Sequence, residues 1–191
     1  MATGCNHRGD AHDRSSAATD LSVAARDGQD GIPRVTTTRS VVGALRVAAV
    51  TLRYYTARGP QFIDITDDVR HAVAQSGIAD GVVTVYSKHT TAAIKINEHE
   101  PFLLEDMERF VCALSPQERT YNHNNFLIRV VNMEEDECPN GHAHCQHLLL
   151  NTSEQIPLQG GQLQLGRWQR VFLVELDHAR PREVVVQVMG C

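Results

Sequence analysis

The sequence predicts an α+β fold: a β-rich core of mostly antiparallel strands with two to three helices. Three observations predict it. First, the last forty residues read as hairpins: Ile156-Pro157-Leu158 and Leu163-Gln164-Leu165 are joined by Gln159-Gly160-Gly161, a short glycine turn. Second, several short runs are β-branched, residues 82–86 and 184–188 most clearly. Third, two longer stretches space their apolar residues at helical intervals and carry helix start and stop residues.

Residues 1–38 are rich in Ala, Ser, Thr, Gly, Asp and Arg and have no sustained apolar period, so they read as a disordered tail. A single globular domain is expected over residues 39–191. Val41, Val42, Leu45, Val47, Val50 and Leu52 open it as a β-rich section, and Arg58-Gly59-Pro60 is a turn signal. A short strand over 62–65 follows. Thr66 stands where an N-cap is expected, with Asp67 and Asp68 suiting the positive end of the helix dipole. Val69 and Val73 mark that helix's inner face, and Ser76-Gly77 ends it.

After the strand over 82–86, alternation along residues 89–98 puts His89, Thr91, Ala93, Lys95 and Asn97 on one face and Ala92, Ile94 and Ile96 on the other. A break near Thr90 would undo that polar face. Pro101 suits the first turn of a second helix, whose stripe is Leu103, Met107, Phe110, Val111 and Leu114; Ser115-Pro116 stops it. Residues 126–131 are a possible strand, and 134–137 are an acidic run. The near-continuous apolar residues of 171–176 and 184–188 predict strands covered on both faces.

The chain has 191 residues, a formal charge of −5 and a pI near 6.0, which argue against bulk nucleic-acid binding. There is no apolar run long enough to span a membrane, and the first residues lack the pattern of a secretory signal. Five cysteines without regular pairing suit a reducing compartment, so a cytoplasmic location is expected. Only Lys88 and Lys95 among the 18 basic residues are lysines.

The densest chemistry lies in residues 140–150, where His142, His144 and His147 sit beside Cys145 after an Asn-Gly turn signal. Imidazole is a frequent metal ligand and proton carrier. A helix is expected, capped by Asn140. On a helix His144 faces inward with Leu148 or His147, while His142 faces elsewhere. The segment therefore offers one ligand-quality histidine. With His89 and His123 it makes three imidazoles in polar turn contexts, the donor set of a catalytic zinc site if they converge. An anion could sit at the helix start near Gly141, with charge from Lys95, Arg109, Arg129 and Arg167.

The ordered set His89-Thr90-Thr91-Ala92-Ala93-Ile94-Lys95-Ile96-Asn97-Glu98, Asp106, Tyr121-x-His123, Gly141-His142-Ala143-His144, Gly166-x-Trp168-Gln169 and Glu175-x-Asp177 to Arg182 resembles the YjbQ family, often labelled secondary thiamine-phosphate synthase. The resemblance covers roughly residues 50–190. It implies a YjbQ-like domain commonly assembled as a homotrimer, with a metal or anion site between subunits. It carries the family's histidines onto His89, His123 and His144, and its acidic positions onto Glu98 and Asp106. Arg167 stands where the family has threonine, and Asn151 where glycine is frequent.

On this reading the catalytic candidates are His89, His144, Glu98 and Asp106. The metal candidates are His89, His123 and His144. Lys95, Asn97, Gly141, Arg167 and Trp168 would bind a small phosphorylated substrate. The implied reaction joins a hydroxymethylpyrimidine pyrophosphate to a thiazole phosphate and releases pyrophosphate. It calls for a divalent metal: imidazoles favour zinc, whereas such chemistry normally uses magnesium. A zinc-dependent hydrolase and a non-enzymatic trimeric metal- or anion-binding protein are the alternatives.

Overall fold

The computed structural model of the chain describes Thr19–Asp20, Arg39–Ser40, and residues 43–135 and 137–191. Two compact units divide at Ala44 and Leu45, six residues after the expected boundary. In the first, β1 (Thr19–Asp20) pairs antiparallel with β2 (Arg39–Ser40). The rest of the expected disordered tail lies outside the described residues.

The second unit is an α+β fold of two antiparallel sheets and three helices. Its strands are β3 (Arg46–Tyr55), β4 (Gln61–Asp64), β5 (Gly81–Ser87), β6 (Ala92–Glu98), β7 (Ser153–Gln159), β8 (Gln162–Leu163), β9 (Gln169–Glu175) and β10 (Pro181–Gly190). Five of them form a sheet in the order β3-β10-β5-β7-β8, and three form a second sheet in the order β4-β9-β6. The helices are α1 (Thr66–Ser76), α2 (Pro101–Leu114) and α3 (Gly141–His147).

Strand β9 shows why the core is layered. Val171 and Leu173 point into one cluster with Val69, Val73, Val83, Val85, Val184, Val186 and Val188. Phe172 and Val174 point into another with Ala93, Val111, Ala143 and Leu176. The three-stranded sheet is thus covered on both faces, as the near-continuous apolar run of 171–176 predicts. Phe172 is wholly buried and meets Phe62 edge-on, with ring centroids 6.1 Å apart. Strand β10 differs from its prediction. Val184, Val186 and Val188 are buried but Val185 is only half-buried, so it has one covered face. The hairpin turn is as expected: Gly160 (φ 55°) and Gly161 (φ 73°) take the left-handed conformations that join β7 to β8.

The helices start differently from the sequence reading. Thr66 does not cap α1; its hydroxyl lies 2.6 Å from Asp64 Oδ1 and accepts from Val171 N–H at 2.8 Å, which pins the helix start to β9. Gly77 ends α1 in the left-handed conformation. Helix α2 is capped by Glu100, whose carboxylate accepts from Phe102 N and Leu103 N, with Pro101 in the first turn. Of its expected stripe only Val111 is buried; Phe110 and Leu114 stay exposed. The expected strand over 126–131 is absent: residues 126–128 form a turn, 129–131 are irregular, and Phe126, Leu127, Ile128, Val130 and Val131 are exposed.

Candidate functional site

His123 and His144 arrive from two short elements locked together. Tyr121 precedes a single 3-10 turn, Asn122–Asn124, which carries His123. The Tyr121 hydroxyl lies 2.7 Å from Ser115 Oγ and donates to Pro116 O at 2.7 Å, which fixes the turn to the end of α2. Asn124 Oδ1 then accepts from Gly141 N–H at 2.8 Å and ties the turn to the start of α3. A Cβ on Gly141 would lie 2.6 Å from Tyr121 Cβ, so only glycine lets the two pieces close. Gln146 completes the clamp: its Nε2 donates to Val111 O and Ser115 O. The result sets the two imidazoles edge-to-face, with ring centroids 4.6 Å apart.

They line a cavity of about 600 Å³ shared with Thr90, Arg129, Asn132, Glu134, Glu137, Asn140, His178 and Arg180. Two sets of these charged groups are joined by short contacts. Arg129 Nη1 meets Glu137 Oε1 at 2.5 Å, and this guanidinium holds the Glu137 carboxyl below its usual range. Arg180 Nη2 lies 2.9 Å from Asp177 Oδ2, and His178 Nδ1 lies 2.9 Å from Asp177 Oδ1. Burial, with help from neighbouring His123, lowers the His144 pKa, so His144 is neutral near pH 7. His123 Nε2 is buried without a hydrogen-bond partner among the described residues, its nearest carboxylate being Glu137 Oε1 at 3.8 Å.

Behind this cavity lies a buried ion pair. Glu175 and Arg182 form a two-point contact, Nε to Oε2 at 2.5 Å and Nη2 to Oε1. Glu175 Oε1 also accepts from Leu176 N and Asp177 N, and Oε2 lies 3.0 Å from Thr56 Oγ1. Arg182 Nη2 reaches Thr91 Oγ1 at 2.9 Å. The pair therefore fastens the segment that carries Thr90 and the turn that carries His178 and Arg180.

The other expected site residues are dispersed. The strand starts only at Ala92, so the polar face expected from His89 onward is broken at the position that would undo it. His89 Nε2 instead accepts from Glu183 N–H at 2.7 Å. That bond requires the neutral ring with its proton on Nδ1, consistent with a pKa lowered by burial and by Arg182. Among the described residues no three His, Cys, Asp or Glu side chains are grouped to hold a metal. Lys95 and Asn97 line a separate apolar cavity of about 190 Å³ with Phe62, Met107 and Phe110. Glu98, Arg167 and Trp168 border a third cavity with Asp64, His99 and Arg170, and the Arg167 guanidinium lies 4.4 Å from the Trp168 ring centre. Asp106 is exposed on α2 and pairs with Arg109.

The Gly141 amide, expected to seat an anion, is already taken by Asn124. Within α3 the expectation also inverts. His142 is 6% exposed and Leu148 is 82% exposed, because the first turn of this seven-residue helix is pressed into the body while its end runs outward. Sequence reasoning missed Asn140, Glu137, His178 and Arg180 as cavity residues. The available signal was the charged run Glu175-x-Asp177-His178-x-Arg180 directly after an apolar strand.

A family profile described as "UPF0047 protein YjbQ-like" matches residues 50–191. The chain belongs to the YjbQ-like UPF0047 family. A UPF0047 protein of Methanothermobacter thermautotrophicus is 37% identical over 135 residues, 71% of this chain and 87% of that one. One of Archaeoglobus fulgidus is 38% identical over 134 residues, 70% and 95% of the two chains. The fold agrees with the crystal structure of a YbjQ-like protein of unknown function from Sulfolobus solfataricus P2: TM-score 0.70 and 35% identity, covering 78% of this chain and all of that one. It also agrees with a YjbQ/UPF0047 protein of Clostridium acetobutylicum, at TM-score 0.64, 34% identity and 73% and 98% coverage. The family match starts beyond the first unit, so these likenesses concern the α+β domain. Among the described residues no helix is long and apolar enough to cross a membrane.

Proposed function

We propose that this YjbQ-like chain is a thiamine-phosphate synthase-type transferase. It would act on small phosphorylated molecules at the His123–His144 cavity, in a cytoplasmic homotrimer. The observation that supports this reading most is the pairing of a buried, unpartnered His123 Nε2 with a neutral His144 in a cavity that also holds two guanidiniums.

In the proposed reaction the C–O bond between the pyrimidine methylene and the diphosphate breaks. The thiazole ring nitrogen forms the new C–N bond. Pyrophosphate leaves with the electron pair, so negative charge grows on its oxygen, and fixed cations there lower the barrier. Arg180 and Arg129 would orient the phosphates through the N–H groups left after Arg180 has bonded Asp177 and His178 and Arg129 has bonded Glu137, Asn132 O and His123 O. A divalent metal belongs to this proposal and would supply Lewis-acid stabilisation of the leaving group. His123 and His144 are the residues that would hold it. Their nitrogen donors suit zinc better than magnesium. Two imidazoles fall short of a full ligand set, so the remaining ligands would come from water, substrate or a neighbouring copy.

The test is pyrophosphate release from the two phosphorylated precursors, with zinc and magnesium added separately. The wild-type chain should turn over, and His123→Ala and His144→Ala should each lose at least a hundredfold. No turnover above a mock preparation at high protein concentration, or full activity in both variants, sinks the proposal. One observation favours the zinc-dependent hydrolase as a second reading. Glu134, Glu137 and Asp177 outnumber Arg129 and Arg180 around the cavity, a balance that welcomes a cation before a phosphate. Zinc-dependent cleavage of a phosphate or carboxylate ester, without pyrophosphate release, would select it.

A further inference from the structure

Helix α2 lies over the three-stranded sheet without filling the layer between them. Of its residues only Val111 is buried. The space left is the cavity of about 190 Å³ on the far side of α3 from the histidines. Its wall is apolar: Phe62 from β4, Met107, Phe110, Val111 and Leu114 from α2, and Leu149 from the turn after α3. Phe110 is 63% exposed and Leu149 64% exposed, so the cavity opens to solvent between them. Among the described residues that line it, Lys95 is the only charged one.

The side-chain donors of this cavity are engaged, with one exception. Gln146 Nε2 donates to Val111 O and Ser115 O, and Asn97 Nδ2 lies 3.0 Å from Met107 Sδ. The exception is the partly exposed Lys95 ammonium. Its ion-pair partner, Glu154 Oε1, stands 3.7 Å away, beyond hydrogen-bond reach, and that oxygen already accepts from Asn151 Nδ2 at 2.8 Å. An ammonium carries three donors and no acceptor, so the group it can hold is an acceptor. One cation beside an apolar wall neutralises a single negative charge. It does not compensate the dehydration of a phosphate dianion.

We propose that this second cavity binds a small monocarboxylate with an apolar body of about six carbons, the size of the benzene that an apolar cavity of about 150 Å³ takes. The carboxylate sits on the Lys95 ammonium at the rim. The body lies against Phe62, Met107 and Phe110, where it covers the part of α2 that the protein leaves open. The site is separate from the His123–His144 cavity and stands whether or not the proposed reaction does. Helix α3 lines both cavities, through His144 on one side and Gln146 on the other.

The experiment titrates the full chain with hexanoate and with hexan-1-ol, a chain of the same length without the charge, and follows amide chemical shifts. Both should shift Lys95, Phe110 and Leu149. Hexanoate should bind roughly fivefold more tightly, the advantage that one partly exposed charge pair supplies. Lys95→Met should bring hexanoate down to the level of the alcohol without weakening the alcohol, and Lys95→Arg should keep the preference. Equal binding of acid and alcohol, a preference unchanged in Lys95→Met, or no saturable binding of hexanoate at millimolar concentration overturns the proposal. Inorganic phosphate that shifts the same three residues as strongly as hexanoate does also overturns it, because Lys95 would then serve a phosphorylated ligand. So does a change at Phe110 and Leu149 with protein concentration alone, which would place a second copy of the chain on the cavity.

Discussion

Replacing Arg182 by methionine is the sharpest test of how the cavity is supported. Arg182 is 2% exposed and Glu175 is wholly buried, so the substitution leaves a carboxylate in the interior without its counter-ion. Three other donors remain around it, from Leu176 N, Asp177 N and Thr56 Oγ1, but all are neutral. Breaking one side of a buried pair costs about 3–5 kcal/mol. With a urea slope of about 2 kcal/mol per molar, that is a fall in the unfolding midpoint of roughly 1.5–2.5 M. Far-UV circular dichroism at pH 7 reads it directly. The double variant Glu175→Gln/Arg182→Met removes both charges and keeps an amide oxygen for the two backbone N–H groups. It should regain at least half of the loss, because most of the penalty is the stranded charge rather than the lost attraction. A loss below about 1 kcal/mol for Arg182→Met, or a double variant no more stable than the single one, would refute the reasoning.

Two further outcomes follow from the local geometry. Gly141→Ala should destabilise the chain by about 1–3 kcal/mol, the usual cost of overpacking, because its Cβ would lie 2.6 Å from Tyr121 Cβ; an unchanged melting temperature would show that the 3-10 turn and α3 separate freely. Acidification below about pH 6.5 should lower the melting temperature before carboxylates titrate. Burial first of all lowers the pKa values of His89, His142, His144 and His147, so the folded chain binds fewer protons than the unfolded one, and stability is lost as pH falls through that window. A flat profile between pH 7.5 and 5.5 would contradict the burial of these rings.

The fold was legible where the signal is local. Glycines mark the β7–β8 turn and the end of α1, Pro101 marks the start of α2, and β-branched runs mark β5 and β10, because each of these residues limits its own backbone. The site was legible only in part. His123 and His144 meet because Tyr121, Asn124 and Gly141 interlock, and no periodicity encodes that. Lys95 and Asn97 keep the alternation predicted for β6, yet helices α2 and α3 cover their face and remove them from the histidines. The Thr66 cap failed for a related reason: a tertiary partner, the Val171 amide, claimed the hydroxyl first.

The same competition explains why the cavity's chemistry is carried by residues that composition alone would discount. Glu175-x-Asp177-His178-x-Arg180 looks like a solvated turn after a strand, and a solvated turn would be the ordinary outcome. Here Glu175 is drawn inside by Arg182, and that anchors the two residues beyond it. Asp177 is then set to face Asn140, Arg180 and His178 at once. Each of those side chains loses a degree of freedom to a partner fixed by the strand, not by the loop. A loop braced from behind in this way can hold polar groups in one orientation without a ligand, which is the condition for selective binding. In the proposed reaction His123 and His144 would supply the metal-binding nitrogens. The buried pair, 31 residues or more away in sequence, fastens the turn that shares their cavity.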